Sequence, residues 1–219
     1  MSLSFLSEIW PAFMQGLAET LKLFCFTLLF ALPLGLPFAL GSRSKFLPLK
    51  WLCRTYVWIF RGTPLLLQLF FIYYGLGIMG LPLSRFTAAV LTFVLNYAAY
   101  FAEIYRGGIQ SIATGQHEAA KTLGFKPWQT MRYIILPQAI ARIIPPVCNE
   151  TITLIKDTAL VTAIGVAELL KAAKDAVNRN GNVAAYFVAA VIYLILTFGL
   201  TMLYEKIEKH FNRHEQKDA

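Results

Sequence analysis

Residues 118–137 read EAAKTLGFKPWQTMRYIILP, a polar and charged stretch inside a chain otherwise built of apolar runs. Thr114 or Gly115 starts a short helix, and Glu118 falls in its first turns, where the helix dipole favours negative charge. Gly124 ends that helix, because glycine enters the left-handed conformation of a C-terminus without a Cβ penalty. Pro127 is placed to open a second helix at its first position. The stretch thus predicts a helix, a sharp turn and a second helix. Pro137 has no N–H to donate and biases Leu136 toward extended backbone, so a bend is expected there. Small residues at Ala119, Ala120 and Gly124 would let a partner backbone approach closely.

Working outward, hydrophobic residues make up 57% and charged residues 15% of the 219 positions, too apolar for an ordinary soluble domain of this length. The class is integral membrane and all-α. The formal charge of +8 does not indicate nucleic acid, since the basic residues lie between apolar segments, where they orient membrane proteins. Cys25, Cys53 and Cys148 have no metal-type spacing and read as free packing residues. Glu8 and Glu19 precede the first apolar run and no basic leader is evident, so the first span is expected to be retained.

Leu23 to Leu40 carries no charge and is long enough to cross a bilayer core of roughly 30 Å at about 1.5 Å per residue. Pro33, Gly35 and Pro37 should kink it. Residues 62–84, 86–102 and 181–204 are further runs, with Thr63 a candidate N-cap and Pro64 a first-turn residue of the second. Residues 133–159 are apolar but broken by Arg142, Pro145, Pro146, Glu150, Lys156 and Asp157. Ionisable groups at membrane depth usually face a bundle interior or a wet cavity, so this segment is a candidate pathway. Five spans result, in a single domain over residues 1–219, with no internal repeat. Residues 165–182 read as an external helix and loop. Lys and Arg are more frequent in the first loop, around residues 106–142 and in the tail with Lys206, Lys209, Arg213 and Lys217, so an N-terminus outside and a C-terminus in the cytoplasm are expected.

The pattern E-A-A-x-x-x-G, followed by I-x-L-P, is met by Glu118, Ala119, Ala120, Gly124, Ile134, Leu136 and Pro137. It resembles the EAA loop of the membrane subunits of ATP-binding cassette (ABC) importers. Three more blocks resemble the polar amino-acid branch of that family and keep its order: RGTPLLLQLFFIYYGL from Arg61, NYAAYFAEIYRGGI from Asn96 and NETITLIKDTALVTAIGVAEL from Asn149. The resemblance implies the type I importer permease fold with a cytoplasmic coupling helix, the coupling loop running over about residues 106–137. It implies a bacterial inner-membrane protein that works with a second copy or a close homologue, a cytoplasmic ATPase dimer and an external solute-binding protein. The implied cargo is an amino acid, basic or otherwise polar. It further implies an ATPase-coupling role for Glu118, Ala119, Ala120 and Gly124, with Leu136 and Pro137 setting the angle of return.

No residue set supports covalent catalysis. His117, His210 and His214 lack partners at metal-ligand spacing, and no phosphate-holding glycine loop is present. ATP and Mg are therefore expected on the partner ATPase, with no cofactor in this chain. Candidate path residues are Asn96, Asn149, Glu150, Lys156, Asp157 and Thr158. For Lys156 and Asp157 the alternative is mutual neutralisation at the interface; for Asn96, Tyr97 and Tyr100 it is a hydrogen bond between spans. Glu103 and Arg106 read as a local pair. The rival function is an ion-driven secondary transporter or channel using Glu150, Lys156 and Asp157 as a relay, which leaves the EAA loop unexplained.

Overall fold

The computed structural model describes residues 3–212; Arg213, His214 and Lys217 lie outside the described residues. Among the described residues all regular structure is helical. The first helix, α1 (Leu3–Gly41), runs 39 residues through Pro11, Pro33 and Pro37. At about 1.5 Å per residue it far exceeds a bilayer core of roughly 30 Å, and it begins well before the span read from hydropathy. The acidic residues that shortened that reading sit on its surface. Glu19 pairs with Lys22 at 2.6 Å and Glu8 accepts from Asn180 at 3.2 Å. Between them, Phe5, Ile9 and Phe13 form an apolar stripe that is buried in the fold.

The second apolar run is not one straight span. Helix α2 (Leu47–Gly62) and helix α3 (Leu65–Ile78) meet at an angle of 105°. Thr63 is the C-cap of α2, with φ −122° and ψ 148°, and Pro64 is the extended N-cap of α3. The expected roles of these two residues are therefore shifted by one position. The physical reason is that Pro64 disfavours helical backbone at the residue before it, which stops α2. A break inside an apolar span frees carbonyls that must be satisfied internally. Gln68 does this: its Nε2 donates to the Phe60 carbonyl at 2.9 Å, the Thr63 carbonyl at 3.1 Å and Thr63 Oγ1 at 2.8 Å.

Helix α4 (Arg85–Gln110) starts at Ser84, whose side chain accepts from the Thr87 N–H. It is the core helix: Ala88, Ala89, Thr92, Phe93, Asn96, Tyr97 and Phe101 are all buried. A wide π turn over Phe71–Gly75 lies within α3. Helix α5 (Thr114–Thr122) follows α4, and a helical lead-in over Pro127–Gln129 and a π turn over Thr130–Ile135 run into α6 (Leu136–Asp157). The extended backbone expected at Leu136 is absent, as Leu136 keeps helical angles of φ −63° and ψ −42°. The π turn explains it, since the wider ring of backbone bonds just before Pro137 leaves room for a ring that has no N–H to give.

Thr158–Ile164 forms a 3-10 segment closed by Gly165 at φ +79°. Helix α7 (Leu169–Asn180) then packs Leu169, Ala173 and Ala176 against the N-terminal stripe of α1. The final helix, α8 (Ala184–Asn212), joins that cluster through Ala185, Val188 and Ala189, while most of its length is exposed. Among the described residues, helices α1, α4 and α8 are each long and apolar enough to cross a membrane, and α2 with α3 meets the same measure only when the bent pair is taken together.

Candidate functional site

A cavity of about 460 Å³ opens where the break between α2 and α3 faces α4 and α6. Asn96, Tyr97 and Tyr100 enter it from one face of α4. Glu150, Thr153 and Asp157 enter from α6, and their spacing of three and four residues puts all three side chains on one stripe of the helix. The wall from the break supplies Arg61, Gly62, Thr63, Pro64 and Leu65. Backbone is exposed to the cavity there because the helix is interrupted, as at other sites where irregular backbone is tolerated at membrane depth.

The polar groups are fixed by one another. Asn96 Nδ2 donates to the Phe60 carbonyl and to Gln68 Oε1, both at 3.0 Å, which locks the break against α4. Tyr97 donates its hydroxyl to Asp157 Oδ2 at 2.8 Å. The Arg61 guanidinium lies over the Tyr100 ring, 5.3 Å from its centroid, a cation–π arrangement. One wall thus presents two carboxyl groups and the opposite wall a guanidinium.

Of the six path candidates, Asn96, Glu150 and Asp157 line this cavity. Asn149 and Lys156 are exposed elsewhere on α6. Thr158 is fully buried and donates to the Ile155 carbonyl at 2.7 Å. Asp157 accepts a hydrogen bond from the Tyr97 hydroxyl. Sequence reasoning passed over Thr153 and Gln68, gave Arg61 no role in the pathway and favoured a hydrogen bond between spans for Tyr100. Gln68 left a signal, as the one polar residue in the run LLLQLFF. Arg61 left one too, standing just before a threonine–proline break in an apolar run.

The EAA stretch forms a compact helical hairpin below α4 and α6. Gly124 adopts φ +80°, with Phe125 N–H donating to the Ala120 carbonyl and Gly124 N–H to the Lys121 carbonyl, each at 3.0 Å. That pair of bonds is the Schellman motif, which closes the free carbonyls of α5. Lys126 N–H donates to Gln129 Oε1 at 2.9 Å and so starts the next helical turn at Pro127. Ala120 is buried, whereas Glu118, Ala119, Leu123 and Trp128 are exposed at the tip. Leu136 is half-buried and Pro137 exposed. The legs of the hairpin are clamped by a cluster of Ile109, Ile112, Ile135 and Ala139, and by Arg142, which donates to the Ser111 carbonyl. They also approach so closely that a Cβ on Gly108 would lie 2.3 Å from Ile143 Cγ1. The two clamped legs thus join the tip to α4 and α6, the helices that carry the cavity.

Residues 31–213 match the family of binding-protein-dependent transport system inner membrane components. The chain is 40% identical to the L-cystine transport system permease protein TcyB of Bacillus subtilis over 96% of its length and 91% of that protein. It is 38% identical to the arginine transport system permease protein ArtQ of Bacillus subtilis, with 94% of each chain covered. To the glutamine transport system permease protein GlnP of Escherichia coli it is 37% identical, over 93% and 95% of the two chains. Its fold superposes on a crystal structure of an amino acid ABC transporter with histidines at a TM-score of 0.89 and 38% identity, covering 96% of this chain and all of the other. The methionine ABC transporter MetNI in an inward-facing form shares the fold at a TM-score of 0.70 and 21% identity. The chain belongs to the binding-protein-dependent transport system inner membrane component family and is an amino-acid ABC permease.

Proposed function

We propose that this chain forms half of the membrane pathway of an ATP-driven importer, with the cavity between α2, α4 and α6 as its cargo site. The observation that carries the reading is the pairing of Glu150 and Asp157 with Arg61 across one 460 Å³ space. An amino acid carries an ammonium and a carboxylate, and these walls offer the opposite charge to each. Charged groups in a site poor in water attract more strongly than in bulk solvent. Two carboxyl groups against one guanidinium favour a cargo with an additional positive charge or a strongly polar side chain.

Coupling runs through Glu118, Ala119, Ala120 and Gly124, which meet a cytoplasmic ATPase dimer that binds ATP and Mg, while Leu136 and Pro137 stand at the return to α6. Nucleotide-driven closure of the ATPases draws two such hairpins together and opens the cavity outward; hydrolysis resets it. A second copy or close homologue completes the pathway, and an external solute-binding protein delivers the amino acid. In this orientation α6 is the fourth of five spans, the N-terminus and α7 are outside, and the hairpin and C-terminus are in the cytoplasm of a bacterial inner membrane.

Co-purification with its cognate ATPase, followed by reconstitution with the binding protein, tests this directly. ATP-dependent uptake of L-arginine, L-glutamine or L-cystine into proteoliposomes is expected. Uptake that follows a proton or sodium gradient and ignores ATP would establish the ion-coupled alternative instead. An impermeant thiol reagent should label a cysteine placed at Asn180 from outside, and one at Gln116 only after the membrane is opened.

A further inference from the structure

A second cavity, of about 560 Å³, lies next to the first and shares its wall at Arg61 and Gly62. It is lined by Arg54, Arg61 and Arg106 against one carboxylate, Glu103. Glu103 is already occupied: Arg106 grips both its oxygens, with Nε to Oε2 at 2.8 Å and a second bond from Nη2 to Oε1. Arg61 meets Glu103 only at 3.7 Å. Arg54 is held by a carbonyl, donating from Nε to Ser42 at 3.3 Å. The space therefore contains three guanidinium groups and a single carboxylate whose oxygens one of them already holds. Glu103 lies seven residues beyond Asn96 on α4, which puts this cavity about 10 Å further toward the coupling hairpin.

Resting on the cargo site proposed above, we infer that the arginine-lined cavity is an exit-side subsite for the carboxylate of the departing amino acid, with Arg61 the guanidinium shared by both subsites. In the first cavity Arg61 faces Glu150 and Asp157 across the cargo; in the second it stands with Arg54. An amino acid that loses its ammonium contacts on α6 can keep its carboxylate on Arg61 while Arg54 takes over the other oxygen. Guanidinium groups suit this role because each presents paired donors to a carboxylate. Arg54 binds the departing carboxylate, and its effect belongs in turnover.

The test uses the complete transporter, with its ATPase and binding protein, in proteoliposomes of neutral lipid. Arg54→Gln is expected to lower the turnover of ATP-driven L-arginine or L-glutamine uptake by about tenfold with KM unchanged, the effect of weakening one charge interaction by about 1.4 kcal/mol. Arg54→Lys, which restores the charge without the paired donors, should recover only part of it. In the wild-type transporter, needing no substitution, L-arginine preloaded on the ATPase side should slow uptake, and its carboxamide at the same concentration should not. Uptake left intact by Arg54→Gln overturns the exit subsite alone, whereas equal slowing by acid and amide overturns it together with the placing of the carboxylate on Arg61. A phospholipid that co-purifies with wild type and is lost in Arg54→Gln without a change in uptake assigns the cavity to a lipid phosphate and also overturns it. Absence of ATP-driven uptake by the wild type overturns the importer reading itself.

Discussion

Tyr97 donates its hydroxyl to Asp157 Oδ2 at 2.8 Å, tying the middle of α4 to the last turn of α6 across the cavity wall. Tyr97 is almost completely buried, stacks with Phe93 and lies tilted against Tyr100, so its ring has little freedom to move. The carboxylate is thereby held at a fixed place on the wall. Whatever opens α4 from α6 must break or carry this bond.

Tyr97→Phe keeps the ring and removes the bond. It should lower stability by about 1 kcal/mol, the usual net worth of one hydrogen bond, and raise KM for uptake severalfold because Asp157 loses its orientation. Thermal melting in detergent and initial uptake rates check the two effects. An unchanged KM would mean that Asp157 does not meet the cargo.

Glu168 is a second fixed carboxylate, in a place the sequence did not flag. It is fully buried and accepts from the Thr162 and Tyr193 hydroxyls and from the N–H groups of Leu170 and Lys171. Four donors leave no acceptor facing it. Glu168→Gln brings an NH₂ against those donors and should cost on the order of 1–3 kcal/mol, seen as a lower melting temperature with assembly still intact at low temperature. An unchanged melting temperature would contradict the role of Glu168 as the tie between α7, α8 and the 3-10 segment.

In the coupling hairpin, Gly124→Val forces a β-branched residue to φ +80°, where only glycine is unstrained. Glu118→Lys inverts an exposed charge at the tip without touching the fold. Both should weaken co-purification of the ATPase while membrane insertion stays normal. Retention of the ATPase and normal uptake in both variants would remove the coupling role from this loop.

The hairpin was legible because its signals are local: Gly124 and Pro127 act on their own backbone angles. The break at Thr63 and Pro64 was not placed correctly, because a proline fits both the first turn of a helix and the gap between two helices. What decides is Gln68 and Asn96 satisfying the freed carbonyls, a contact between segments distant in sequence. The same holds for Pro137, whose effect was absorbed by a π turn that composition does not announce. In the site, Glu150 and Asp157 were visible as charges in an apolar run. Arg61 was visible too, but its position between two cavities depends on the 105° bend.

The central claim is that cargo binds between α2, α4 and α6, and Glu150 tests it most directly. Glu150→Gln preserves the shape of a cavity-lining residue and removes its charge. With assembly and basal ATPase activity unchanged, the ratio of L-arginine to L-glutamine uptake should fall by about tenfold, corresponding to about 1.4 kcal/mol of lost charge interaction. An equal loss for both amino acids, or no loss for either, would contradict the placement of the cargo at this carboxylate.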